Sequence, residues 1–123
     1  MARILIVDDS PTMRQLLAAC LAPLSPDCAE ASTGLEAVER LSIEPFDLVF
    51  LDINMPDMDG VEVVSFLKTH PSLAKIPVVM VTTRAEPGLR ERLLAQGVDR
   101  YITKPFDPSA VLQAARDLLP AGG

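Results

Sequence analysis

Three short apolar runs punctuate the chain: Ile4-Leu5-Ile6-Val7, Leu48-Val49-Phe50-Leu51 and Val78-Val79-Met80-Val81. Each is continuous rather than alternating, the pattern of a strand covered on both faces in a parallel sheet. Two weaker segments, residues 27–31 and 99–103, carry charge and suit exposed sheet edges. Pro26, at the entrance of the first, fits an edge as well. The intervals between runs show helical spacing. Met13, Leu16, Leu17, Cys20, Leu21 and Leu24 follow Ser10-Pro11, an N-cap serine with proline in the first turn. Leu35, Val38 and Leu41 follow Gly34, and Val63, Phe66 and Leu67 follow Asp59-Gly60. Leu89, Leu93 and Leu94 precede Gly97, a C-cap glycine, and Val111, Leu112, Ala115, Leu118 and Leu119 follow Pro108. Five strands alternating with five helices predict an α/β fold, a (βα)5 three-layer sandwich around a parallel sheet. With the two polar segments at the edges, 2-1-3-4-5 is the economical strand order. In such doubly wound sheets, ligands bind beyond the carboxyl ends of the strands, where the order reverses between strands 1 and 3.

Composition changes this picture little. The chain has 123 residues, 49% of them hydrophobic, enough for one core, and a single domain over residues 1–123 is expected. The 11 prolines are scattered singly, so no linker or repeat stands out. The N-terminal apolar run is too short for a signal peptide or a membrane span, so a cytoplasmic protein without a membrane partner is expected. The sequence reaches Pro120-Ala121-Gly122-Gly123 directly after the last helical stripe, so no output domain is expected. Cys20 and Cys28 read as small buried hydrophobes rather than a disulfide. The net charge of −6 and the dispersed basic residues argue against direct binding of nucleic acid.

The chemistry gathers at one rim. Strand 1 ends in Asp8-Asp9, strand 3 in Asp52, strand 4 in Thr82-Thr83 and strand 5 in Lys104-Pro105. Strands 1 and 3 are neighbours in the expected order, which brings three carboxylates together. Two like charges about 4 Å apart cost about 4 kcal/mol at an effective dielectric of about 20. Such a cluster persists only with a counter-charge. The candidates are the Lys104 ammonium and a hard divalent cation taking oxygen ligands. No His or Cys cluster accompanies them, which argues against zinc. Mg²⁺ suits carboxylates that must also hold a phosphoryl group.

The segments Val7-Asp8-Asp9-Ser10, Leu51-Asp52-Ile53-Asn54-Met55-Pro56-Asp57-Met58-Asp59-Gly60, Val81-Thr82 and Tyr101-Ile102-Thr103-Lys104-Pro105-Phe106 occur in that order along the chain. Together they resemble the response-regulator receiver family of two-component signalling, in its single-domain, chemotaxis CheY-like form with a flavodoxin-like fold. The resemblance implies that Asp52 accepts a phosphoryl group from a histidine kinase. It implies that Asp8 and Asp9 hold Mg²⁺ beside Asp52, with the backbone carbonyl of Asn54 as a further ligand. Thr82 and Lys104 would each contact a phosphoryl oxygen, Tyr101 would swing inward when Thr82 moves, and Lys104-Pro105 would be cis. The implied product is an acyl phosphate on a carboxylate nucleophile, with the metal and Lys104 taking up charge. Charge-assisted hydrogen bonds of about 1.5–3 kcal/mol each are on the scale of the roughly 5.5 kcal/mol that inverts a 1:99 equilibrium. The implied protein is not a turnover enzyme but a switch that assists its own phosphorylation and dephosphorylation. Its implied output is binding of a downstream effector protein through helix 4, strand 5 and helix 5.

Other residues carry plainer readings. Asp57 and Asp59 suit turn or capping duty, His70 a solvated helix end, and Met55 and Pro56 the shape of a loop. Thr83 is bulkier than the residue common in the family and narrows access to Asp52. Arg84 and Asn54 flank the path of a hydrolytic water, a placement that would tune the lifetime of an acyl phosphate. Glu86-Pro87-Gly88 is an unusual opening that shifts or loosens the fourth helix. A haloacid-dehalogenase phosphatase would need an aspartate where Ser10 stands, and a flavodoxin-like carrier would not place Asp8-Asp9 against a flavin phosphate. A degenerate receiver would lack one of the chemical positions, and all are present.

Overall fold

A computed structural model describes residues 1–120; Ala121-Gly122-Gly123, the end of the expected domain, lie outside the described residues. The elements alternate as the pattern requires: β1 (Arg3–Val7), α1 (Pro11–Leu21), β2 (Asp27–Ala31), α2 (Gly34–Ile43), β3 (Leu48–Leu51), α3 (Gly60–Thr69), β4 (Val78–Thr82), α4 (Leu89–Ala95), β5 (Arg100–Thr103) and α5 (Pro108–Leu118). The strands form one parallel sheet in the order β2-β1-β3-β4-β5. The two charged segments are its edges.

Alternation along the buried strands divides the core in two. Leu5, Val7, Val49, Leu51, Val78 and Met80 face α2, α3 and α4 through Ala37, Leu41, Val63, Val64, Leu67, Leu89 and Leu93. Ile4, Ile6, Leu48, Phe50, Val79 and Val81 face α1 and α5 through Leu17, Leu21, Val111, Ala114 and Ala115. Leu16 and Leu35, counted on helical stripes, are exposed instead. Cys20 and Cys28 are unpaired and only half-buried against the second layer. No helix among the described residues is long and apolar enough to cross a membrane.

Helix starts follow the capping residues. Ser10 accepts from the Met13 N–H at 3.2 Å, Thr33 from Glu36 at 3.1 Å and Asp59 from Glu62 at 2.9 Å. Leu24 does not extend α1. Pro23 cannot donate to an α-helical ladder, so the chain tightens into a 3-10 turn over Ala22–Leu24 and reverses at Ser25, at φ 49°. Glu86-Pro87-Gly88 delays the fourth helix as its composition suggests. Gly88, at φ 83°, precedes a helix of only 7 residues without a side-chain cap.

Candidate functional site

The carboxyl ends of β1, β3, β4 and β5 meet in one cluster. Asp8 follows β1 and Asp52 follows β3, and main-chain bonds continue the sheet pairing at both: the Asp8 N–H donates to Ala31 at 3.1 Å, and the Asp52 N–H to Val7 at 3.0 Å. These ladder contacts aim the two side chains into the same space. Asp8, Asp52 and Thr82 are 1%, 5% and 0% exposed, whereas Asp9 stands at the solvent edge. Ligand oxygens of Asp8, Asp9 and Asp52 all lie within 4.8 Å of one another. Of the other four expected residues, Lys104 and Asn54 bond directly to the clustered carboxylates, and Thr82 and Tyr101 are tied to the same edge through the main chain of Lys104 and Arg84.

Lys104 enters from the end of β5, whose N–H bonds the Thr82 carbonyl at 2.8 Å before the cis bond to Pro105. Its ammonium donates to Asp8 Oδ2 at 2.8 Å and to Asp52 Oδ2 at 3.2 Å. Burial pulls the Lys104 pKa down. The bond to Asp8 and the charges of Asp52 and Asp8 outweigh that pull and hold it above its ordinary value. Lys104 serves Asp8 and Asp52 together, no cation among the described residues touches Asp9, and one ammonium against three carboxylates leaves an excess of two negative charges. The remaining carboxylate oxygens are held by the main chain: Asp8 Oδ1 accepts from Ser10 at 2.9 Å and Asp52 Oδ1 from Asn54 at 3.3 Å. A donor set made only of carboxylate oxygens, with that residual charge, fits a hard divalent cation.

Thr82 ends β4 with its hydroxyl accepting from the Arg84 N–H at 3.3 Å, so the hydroxyl proton stays available for a ligand. Tyr101 is half-buried on β5, and its hydroxyl donates to the carbonyl of the same Arg84. Burial pushes the Tyr101 pKa up, with Glu86 adding to the effect. Arg84 thus links Thr82 to Tyr101 through its main chain. Its side chain turns away, donating to both oxygens of Glu86 at 2.9 and 3.2 Å. Asn54 is exposed, and its amide donates to Thr83 Oγ1 at 3.4 Å across the mouth of the site. His70 lies exposed at the end of α3, far from this chemistry in its contacts, against Phe66.

One neighbour of the site was not legible in the spacing. Arg14 on α1 donates to the Asp8 carbonyl at 2.6 Å and to Glu30 of β2 at 2.7 Å. It grips the main chain behind Asp8 without touching the carboxylates. Position 14 on a helical stripe gives no hint of that reach, because it depends on the path of the β1–α1 loop.

The model of the response regulator receiver domain matches residues 4–116. A chemotaxis protein CheY homolog of Campylobacter jejuni is 35% identical over 122 residues, 98% of this chain and 94% of that protein. The signal transduction histidine-protein kinase BarA of Escherichia coli (strain K12) is 36% identical over 104 residues, which are 85% of this chain. The chain spans only 11% of BarA's length. Among solved structures, the Vibrio cholerae chemotaxis protein CheY4 matches with a TM-score of 0.86 at 32% identity, covering 97% of this chain and 99% of that one. The signal receiver domain of a histidine kinase from Syntrophus aciditrophicus matches with a TM-score of 0.89 at 36% identity, covering 99% and 92%. Sheet order, rim chemistry and these likenesses agree: the chain belongs to the response regulator receiver domain family, the signalling switches of two-component systems.

Proposed function

We propose that this protein is a Mg²⁺-dependent phosphoacceptor switch in which Asp52 takes a phosphoryl group from a histidine kinase. The observation that carries the reading is the shared ammonium: Lys104 bridges Asp8 and Asp52, and with Asp9 beside them the cluster keeps an excess of two negative charges. Asp8, Asp9 and Asp52 would hold the cation, with the main-chain carbonyl of Asn54 as a further ligand. When bound, Mg²⁺ supplies neutralisation of phosphoryl oxygens and in-line alignment.

The chain's own residues do the rest. Asp52 presents one carboxylate oxygen as nucleophile, and an acyl phosphate forms there as the donor's leaving group departs. Lys104 already contacts Asp52, so it meets the incoming charge without reorganisation. Thr82 donates its free hydroxyl proton to a phosphoryl oxygen. That bond draws the Thr82–Arg84 segment toward Asp52 and moves the carbonyl that holds the Tyr101 hydroxyl. Tyr101 then turns inward, and the face formed by α4, β5 and α5 changes shape for an effector protein. The reading makes the protein cytoplasmic and self-limiting: it helps its own phosphorylation and hydrolysis and does not turn over external substrate.

The test is incubation with Mg²⁺ and acetyl phosphate or phosphoramidate, followed by intact mass. One added phosphoryl group is expected, absent in Asp52→Asn and in EDTA. No adduct with either donor contradicts the reading, and steady phosphate release from many monoesters would favour a phosphatase.

A further inference from the structure

Asp57 lies in the loop between β3 and α3, beyond Asn54, and its carboxylate reaches out of its own turn. Oδ1 accepts from the Gly34 N–H at 3.1 Å and Oδ2 from the Leu35 N–H at 3.0 Å. Those are the first two amides of α2, among the donors that a helix start leaves without partners. Thr33 takes the next one, from Glu36 at 3.1 Å. The loop and the helix also touch through main chain. A Cβ on Gly34 would stand 2.2 Å from the Met58 carbonyl oxygen, so only glycine lets the loop lie there. At its far end the loop is fastened again: the Gly60 N–H donates to the Ile53 carbonyl at 2.9 Å. The main-chain N–H groups of Met58, Leu35 and Gly34 hold the Asp57 carboxyl below its usual range. Asp57 is exposed and is not one of the clustered carboxylates.

We infer that Asp57 is a positioning residue for the cation site. By fastening the β3–α3 loop to the amino end of α2, it fixes the main chain at Asn54, whose carbonyl a divalent cation beside Asp8, Asp9 and Asp52 would use. This rests on the cation reading above. Partners that orient metal ligands change metal affinity by about 10–100-fold when removed. Asp57 acts through a stretch of backbone rather than on the ligand atom, so a loss of about 3–10-fold is expected. The coupling is reciprocal: cation binding tightens the grip on the start of α2.

The experiment is calorimetric titration of Mg²⁺ into the unphosphorylated protein, with no turnover involved. Asp57→Ala raises the dissociation constant about 3–10-fold, while Asp57→Asn, which keeps one acceptor oxygen, falls between it and the wild type. Thr33→Ala loosens the same helix start without touching the loop and stays within about twofold of wild type. Hydrogen exchange confirms the link, with the Gly34 and Leu35 amides exchanging faster in Asp57→Ala. Three results overturn the inference: Asp57→Ala within twofold of wild type, equal losses in the Asn and Ala variants (a long-range charge effect), or an equal loss in Thr33→Ala (general weakening of α2). A wild-type protein with no Mg²⁺ affinity would instead bring down the cation reading itself, a distinguishable outcome.

Discussion

Replacing Lys104 with methionine keeps a long aliphatic stem and removes the ammonium shared by Asp8 and Asp52. The three carboxylates approach within 4.8 Å. At that separation a pair of like charges costs about 3.5 kcal/mol at an effective dielectric of about 20. Breaking a buried ion pair by removing one partner destabilises proteins by about 3–5 kcal/mol, and the side chains of Lys104, Asp8 and Asp52 are largely buried. Against a total stability of about 5–15 kcal/mol, Lys104→Met should lose about 3–4 kcal/mol in EDTA, or about 12 °C in Tm for a domain of this size. Mg²⁺ at a hundredfold excess over its Kd stabilises by about 2.7 kcal/mol. The variant should gain more from Mg²⁺ than the wild type does, because no ammonium competes for the same oxygens. The sign with pH also follows. A lysine pKa raised on folding gives stability that is complete below the ordinary value of 10.5 and fades as pH climbs past the raised one. The gap between wild type and variant should therefore stay flat across neutral pH and narrow only in strong alkali. Urea unfolding with and without Mg²⁺ measures all of this. Equal stability of the two proteins in EDTA, or equal gains from Mg²⁺, would refute the reasoning.

Further outcomes follow from individual contacts. A Cβ on Gly60 would stand 2.4 Å from the Asp52 carbonyl oxygen and 2.8 Å from the Ile53 Cα. Gly60→Ala should therefore cost about 2–3 kcal/mol and slow phosphorylation, whereas Gly88→Ala, in open space at φ +83°, should cost about 1 kcal/mol and leave phosphorylation unchanged; denaturant melts and mass-shift kinetics compare them. Arg84→Ala and Asn54→Ala should each change the dephosphorylation rate followed by mass after donor removal, and unchanged rates in both would dismiss their role at the water path. Arg14→Met should lose about 2–3 kcal/mol in a urea melt, since charge-assisted bonds of about 1.5–3 kcal/mol hold the Asp8 carbonyl. Glu30→Gln, at a half-exposed partner, should lose under about 1 kcal/mol.

The fold was legible because burial on both faces writes unbroken apolar runs, and exposure writes charge into segments such as residues 27–31. The rim was legible for a related reason: Asp8, Asp9, Asp52, Thr82 and Lys104 each sit at the end of a strand or within two residues of it, so sheet order alone brings them together. Ser10 and Asp59 show capping chemistry local enough to read in one dimension. Contacts through loops were not. Asp57 does take up the capping duty its type suggested, but the amides it accepts from are those of Gly34 and Leu35 at the start of α2, which nothing in its own turn points to. The grip of Arg14 on the Asp8 carbonyl and the pairing of Arg84 with Glu86 depend on side-chain rotamers and loop paths, which carry no periodic signal. Leu16 and Leu35 show the converse: helical spacing marks a face but does not say how far the neighbouring layer reaches, and both end in solvent.

Among several crowded carboxylates, Asp52 is the one expected to become phosphorylated. Borohydride reduces an acyl phosphate to the alcohol and leaves other carboxylates alone, so phosphorylated protein treated this way and mapped by peptide mass spectrometry reports the residue directly. Homoserine is expected at position 52 alone, and only when Mg²⁺ accompanied the donor. Homoserine at 8, 9 or 57, or equal yield without Mg²⁺, would contradict that expectation.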